Sequence, residues 1–143
     1  MNKKAEKFKK YLDEKDIKAF VIDEIADDQY NTVVFRSHID IHGNQLPTIV
    51  ILDSTIYGMV RVLVAPQVFH DDNEATVLKV LNEYNKQYKS FKYYVDDQGS
   101  LVLDTCILFK EGETDGDMIY AMFDVIINHL NDSYKKLMQA IWQ

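Results

Sequence analysis

The chain of 143 residues is 47% hydrophobic and 27% charged, which favours a single globular domain over residues 1–143. Its one cysteine, Cys106, excludes an intramolecular disulfide and any multi-cysteine zinc or iron–sulfur site. The net charge of −7 divides into +3 over residues 1–18 and −10 over the remainder, and an acidic body argues against general nucleic-acid binding.

The first predicted element is an amphipathic helix over residues 3–14. Its apolar residues recur at spacings of three and four, and lysines occupy the rest of its surface. The apolar residues are Ala5, Phe8, Tyr11 and Leu12. The lysines could contact RNA, DNA or an anionic membrane surface, but the segment lacks the arginines and interleaved aromatic residues that usually accompany nucleic-acid contact. We interpret them as a solvated face, with a nucleic-acid- or membrane-contacting adaptor as the alternative.

Four strands are predicted next, because short β-branched and aromatic runs alternate with turn-like segments. Gly43 and Asn44 give a hairpin signal. Pro47 is expected at a strand start, where its missing N–H is tolerated, and Pro66 ends the run. The predicted strands cover residues 19–25, 31–42, 46–53 and 57–64.

A second helix is predicted after these strands. Asp71 and Glu74 have the three-residue spacing of a capping box at its start. Its expected core face consists of Val77, Leu78, Leu81, Tyr84 and Tyr88. A hairpin over residues 91–109 follows, with Gly99 in the left-handed position of its turn.

The last helix is predicted from about Asp115 to Ile141, with Thr114 and Asp117 as a capping pair. Its wide apolar face consists of Ile119, Met122, Phe123, Ile126, Ile127, Leu130, Tyr134, Leu137, Met138 and Ile141. The element order is therefore α-β-β-β-β-α-β-β-α, which predicts an α+β fold with an antiparallel sheet. Helices should cover one face of the sheet, and the other face should be wet or meet a partner.

The segment FRSHIDIHG contains the strongest candidate for a metal site. Side chains alternate across a strand, so His38, Asp40 and His42 would share one face, with Arg36 beside them. Two imidazoles and a carboxylate could hold a metal ion, but no further ligand motif occurs, and the remaining histidines stand alone. We interpret this as the solvated face of a half-buried strand and keep a metal- or ligand-binding site as the alternative.

Other reactive groups are weaker candidates. The acidic loop KEGETDG resembles a calcium loop from Glu111 onward, but Met122 stands where a bidentate carboxylate is required. Cys106 could be a nucleophile, and we interpret it as a small buried residue in mid-strand. Three adjacent aspartate pairs fall in predicted turns, where aspartate is common for local hydrogen bonding. They are Asp27–Asp28, Asp71–Asp72 and Asp96–Asp97.

Residues 64–130 carry a resemblance to a known family. They combine a helix containing Leu81, Asn82 and Asn85 in an LNxxN element with an aromatic-starting strand, an Asp/Gly turn and a second strand. An acidic loop and a long last helix follow. This order resembles the YbjN-domain family, whose fold is similar to that of type III secretion chaperones. The resemblance implies a bacterial, chaperone- or sensory-regulator-like protein that forms homodimers and binds extended segments of partner proteins.

The expected function follows from these observations together. We predict a non-enzymatic protein-interaction module, a homodimer with one further and unidentified protein partner, and no catalytic, cofactor or metal residues. No apolar run is long enough to span a bilayer and no secretory signal is visible, so a cytoplasmic location is expected.

Overall fold

The computed structural model describes residues 1–110 and 113–143. Within these ranges three helices and six strands follow one another in the predicted order. They are α1 (Lys3–Glu14), β1 (Val21–Glu24), β2 (Val33–Ile41), β3 (Asn44–Leu52), β4 (Tyr57–Ala65), α2 (Glu74–Gln87), β5 (Lys92–Val95), β6 (Leu101–Leu108) and α3 (Gly116–Trp142).

The six strands form one open sheet in the order β1-β2-β3-β4-β6-β5, and every neighbouring pair is antiparallel. The three helices pack on one face of this sheet. Phe8 of α1, for example, packs edge-on against Phe35 of β2 with ring centroids 4.9 Å apart. The predicted α+β class and helix placement are confirmed.

Alternation along each strand separates a buried inner face from an outer face that carries no helix. In β6, for example, Leu101, Leu103, Thr105 and Ile107 are buried against the helices. Most of the predicted face of α3 is buried in the same core, and only Met122, Ile127, Tyr134 and Met138 are partly exposed. The main core cluster therefore lies between the sheet and the helices.

The turn between β2 and β3 differs from its prediction by one residue. Its two central residues are His42 and Gly43, with φ of 51° and 81°, while Asn44 already pairs with Ile41. Both positive φ values are those of a type I′ hairpin turn. Pro47 lies inside β3 rather than at its start, and its missing N–H is tolerated because pairing with β4 begins only at the following residue.

Helix α1 has the predicted bounds, but one of its lysines is not solvated. Asn2 caps the helix by accepting a hydrogen bond of 2.8 Å from the amide of Ala5. Lys4 is 5% exposed, and its Nζ donates to the carbonyl oxygen of Tyr57 at 2.6 Å. Burial lowers the pKa of Lys4, an effect that the nearby carboxylate of Asp53 partly offsets.

The predicted capping box of α2 is wrong. Asp71 and Asp72 adopt positive φ in a tight turn, and the cap position is Asn73. The side chain of Asn73 joins two segments instead, because its Nδ2 donates to the carbonyl oxygens of Val68 and Ile141.

The predicted core face of α2 is also corrected. Leu78 is 44% exposed, whereas Val77, Leu81 and Tyr84 are buried. Tyr88 follows the end of α2 as its C-cap residue and packs against the core only in part. The buried side of α2 is therefore narrower than its apolar residues suggest.

The capping pair predicted for α3 is corrected as well. Asp115, not Thr114, caps the helix by accepting a hydrogen bond from the amide of Met118 at 3.2 Å. The carboxylate of Asp117 instead accepts a hydrogen bond from the hydroxyl of Tyr11 at 2.8 Å, which ties α3 to α1. Within the described ranges, no helix is long and apolar enough to cross a membrane.

Candidate functional site

The structure separates the three residues of the candidate metal site, which was the alternative to a solvated strand face. His38 and Asp40 are exposed residues of β2. His42 belongs to the turn, where its positive φ breaks the alternation, and its Nε2 lies 2.7 Å from the carbonyl oxygen of Asn131 on α3. Across residues 1–110 and 113–143, no three His, Cys, Asp or Glu side chains are grouped so that they could hold a metal ion.

Cys106 is exposed on the outer face of the sheet, so its predicted burial is wrong. It lies opposite Met59 of β4 and two residues from Asp104, which shares its face. Both faces of β6 carry apolar residues, and alternation alone did not decide which of them is the core. The charged residue Asp104, which shares a face with Cys106, was the sequence signal that this face of β6 is the outer one.

The remaining sequence candidates are local structural features. The carboxylate of Asp28 accepts a hydrogen bond of 2.8 Å from the amide of Thr32, and hydrogen bonds from this residue hold the pKa of Asp28 below its usual range. Asp96 accepts from the amides of Gln98 and Ser100, so aspartates of these turns bond locally as expected. The rejected calcium loop begins at Glu111, which lies outside the described residues.

Two lysines of α1 form surface ion pairs within their own helix. Lys9 lies 3.1 Å from Asp13, and Lys10 lies 3.8 Å from Glu14, each at the i, i+4 spacing. Such exposed pairs contribute little to stability. They neutralise part of the basic face that the adaptor hypothesis would use.

Sequence reasoning missed a buried histidine in the core. His129 of α3 is 4% exposed and packs among four aromatic rings with centroids 4.5–5.7 Å from its own. These rings belong to Tyr84, Tyr88, Phe91 and Tyr93. Burial lowers the pKa of His129 to about 4, so the ring is neutral at neutral pH. Its three-residue spacing from Ile126 was the sequence signal that placed it on the buried face.

One edge of the sheet is closed by a side chain. Asn85 of α2 accepts a hydrogen bond of 2.7 Å from the amide of Tyr93 in the edge strand β5. Its Nδ2 also donates to the carbonyl oxygen of Tyr93 at 3.1 Å. This bidentate contact satisfies the backbone groups of Tyr93 that an added strand would need, and covering an edge is one way in which proteins protect it.

The opposite edge is only half covered. β1 pairs with residues 33–36 of β2, and the remainder of β2, residues 37–41, has β3 on one side and no strand on the other among the described residues. In a two-residue hairpin the flanking pair, here Ile41 and Asn44, is hydrogen-bonded, and hydrogen-bonded pairs then alternate along the ladder. The backbone N–H and C=O groups of His38 and Asp40 therefore point to the open side. We call residues 37–41 the free edge.

A groove of about 190 Å³ lies beside the free edge, between β2 and α3. Its apolar lining consists mainly of Phe20, Ile39, Phe123 and Ile127. Phe20 turns into the core, where its ring packs on Phe123 at a centroid distance of 6.3 Å. Asp124 of α3 is exposed at the groove and is its acidic group. An open backbone ladder and an apolar groove thus lie side by side.

This arrangement of an open antiparallel sheet backed by helices is the fold of type III secretion chaperones. In a comparison with solved structures, the chain matches ExsC in the crystal structure of the ExsC–ExsE complex with a TM-score of 0.60. The match covers 96% of this chain and 97% of that chain at 10% identity, so the similarity concerns the fold.

The family model of YbjN, described as "Putative bacterial sensory transduction regulator", matches residues 5–138. The chain therefore belongs to the YbjN family, and the family and fold resemblance inferred from the sequence is confirmed. No curated protein matches the chain.

Proposed function

We propose that this protein is a non-enzymatic protein-interaction module, chaperone- or regulator-like, that acts as a homodimer and binds an extended segment of a partner protein at the free edge of β2. The family description and the chaperone fold support a protein-binding role. The observation that carries the proposal is the open ladder of His38 and Asp40 beside the apolar groove.

The geometry of the free edge defines the kind of segment that fits. An extended segment of about three to five residues would lie along the free edge and pair with His38 and Asp40 through its backbone. Its alternate side chains would enter the groove against Phe123 and Ile127, so apolar residues are favoured there. A basic residue next to Asp124 would add electrostatic complementarity.

The Asn85 contact makes the two edges of the sheet unequal. An extended segment can add to an edge only where backbone donors and acceptors are open. Tyr93 of β5 has both of these groups bound by Asn85, whereas β2 has five residues with no strand on the outer side among the described residues. These contacts favour the β2 edge over β5 as the proposed site.

The experiment begins with heptapeptides selected from a random displayed library on the immobilised protein. We expect Ile127→Asp, which places a charge in the groove, to weaken binding of the selected peptides at least tenfold. Val125→Asp is the matched control, because Val125 is a β-branched residue on the exposed side of the same helix. It should bind as the parent does.

Hydrogen exchange supplies a second measurement that does not depend on the variants. A bound peptide should slow exchange of the His38 and Asp40 amides, which face the open side, more than that of the Val21 amide. Peptides that bind equally to both variants, or protection confined to other parts of the sheet, would contradict the proposed site.

A further inference from the structure

The outer face of the sheet is built in rows that cross the strands. One row of cross-strand neighbours is apolar in its centre and runs through Val34, Ile51, Met59 and Cys106. A second apolar row contains Pro47, Leu63, Val102 and Tyr94. Val34 and Val102 are only 7% and 5% exposed although no helix covers them, because their apolar neighbours pack around them.

A charged row lies between these two apolar rows. It contains Arg36 of β2, Arg61 of β4 and Asp104 of β6. Arg61 and Asp104 form a two-bond ion pair at 2.8 and 2.9 Å, which raises the pKa of Arg61. Arg36 forms an ion pair with Asp23 of β1 through its Nε alone. Arg36, Arg61 and Asp104 are thus paired within one chain. The face also carries Lys92 of β5 and Asp40 of β2, whose opposite charges leave it without net charge.

The size of this face suits a stable interface. Strands about 4.8 Å apart and residues about 3.4 Å along each strand give the six strands a projected area of roughly 600–800 Å². A standard interface buries about 800 Å² of each partner.

We propose that the outer face of the sheet is the homodimer interface, with two copies packed sheet against sheet. This inference rests on the homodimer of the proposed function and identifies the surface that forms it. A two-fold axis along the strands, midway between β3 and β4, exchanges these two strands between the copies. It places Ile51 of one copy opposite Met59 of the other, and Arg36 opposite Asp104.

The arrangement leaves the partner-binding site open. The helices and the groove beside α3 lie on the other side of the sheet, so each copy keeps its free edge of β2. Sheets pack face to face about 10 Å apart through interdigitating apolar side chains. Apolar burial should therefore stabilise the dimer. The dimer should persist in molar salt, because exposed ion pairs contribute only about 0–1 kcal/mol.

Sedimentation velocity on the full chain tests the interface. The parent should sediment at twice the monomer mass of 16.7 kDa at micromolar concentration, in both low and molar salt. Ile51→Asp and Met59→Asp should each raise the dimer dissociation constant at least a hundredfold. Leu78→Asp is the matched control, because Leu78 is an exposed apolar residue of α2 on the helical side. It should remain dimeric.

Far-ultraviolet circular dichroism confirms that each variant is folded. If either aspartate variant unfolds, the double variant Ile51→Thr with Met59→Thr replaces it, because threonine keeps a high β-propensity while it reduces the apolar surface. A dimeric parent whose outer-face variants also remain dimeric overturns this interface but leaves the homodimer intact. A parent that is monomeric at every concentration overturns both the interface and the homodimer. Peptide binding at the free edge is measured independently of the dimer.

Discussion

The hydroxyl oxygen of Tyr93 lies 2.7 Å from Nε2 of His129 in the core between β5 and α3. Burial raises the pKa of Tyr93, so its hydroxyl keeps its proton. Oγ of Ser133 lies 3.3 Å from Nδ1, so one nitrogen of the neutral imidazole donates to a hydroxyl and the other accepts from a hydroxyl. Both ring nitrogens are satisfied without a charge, which is the state that an aromatic core can hold.

The first prediction is that acid destabilises the protein through His129. Its pKa is lowered from 6.5 to about 4, so between these values the unfolded chain binds a proton that the native protein does not. The free energy of unfolding should thus be insensitive to this group above pH 6.5. It should fall by on the order of 3 kcal/mol as the pH drops to about 4.

Urea denaturation of the parent and of His129→Phe isolates this contribution, because the carboxylates that titrate near pH 4 are common to both proteins. The variant should show a smaller loss of stability between neutral pH and about pH 5. Equal losses in the two proteins would show that His129 accepts a proton in the folded state as easily as in the unfolded chain.

The second prediction concerns the two asparagines of the LNxxN element. Asn85→Ala should cost about 1–3 kcal/mol of unfolding free energy, because it leaves the amide and carbonyl of Tyr93 without their partners. Asn82 is exposed on the same helix, so Asn82→Ala should change stability by less than about 0.5 kcal/mol. Chemical denaturation at neutral pH measures both free energies of unfolding. Similar losses at the two positions would contradict the structural role assigned to Asn85.

The third prediction is that Phe123 is a core residue of α3. Its side chain is 6% exposed and its ring lies 5.4 Å from that of Tyr120, so Phe123→Ala should cost about 3–5 kcal/mol. Lys136 is exposed, with Nζ 5.7 Å from the ring of Tyr84, and Lys136→Ala should cost under about 0.5 kcal/mol. Thermal and urea unfolding of the two variants check this. Small and equal losses would mean that α3 packs loosely.

The fourth prediction is that zinc does not stabilise the protein. His42 bonds to Asn131 on α3 and is separated from His38 and Asp40, so these side chains lack the geometry of a site. The melting temperature should not rise when zinc is added, either in the parent or in the double variant His38→Ala with His42→Ala. A zinc-dependent rise in the parent that the double variant loses would instead establish a metal site.

The sequence by itself determined the elements, their order and most of the apolar core. Residues such as Phe8, Phe35 and Ile126 recur with the period of their helix or strand, and burial of one apolar face is enough to decide their position. The element order then implied an antiparallel sheet with helices on one face. These features depend on local periodicity, which a single sequence contains.

Only the tertiary structure decided how the strands meet and which edges stay open. The insertion of β6 between β4 and β5, and the short reach of β1 along β2, depend on long-range pairing that local patterns do not encode. The unequal lengths predicted for the first two strands, residues 19–25 and 31–42, were the one local hint of the free edge.

The positions of individual side chains also depended on the tertiary structure. His42 does not lie on the strand face predicted for it, because it belongs to the turn, which begins one residue earlier than the predicted pair Gly43 and Asn44. A shift of one residue moves a side chain to the other side of a strand. Cys106 was misplaced because both faces of β6 are apolar, so alternation could not distinguish the core from the outer face. Periodicity identifies two faces, but only the packing of the helices decides which of them is buried.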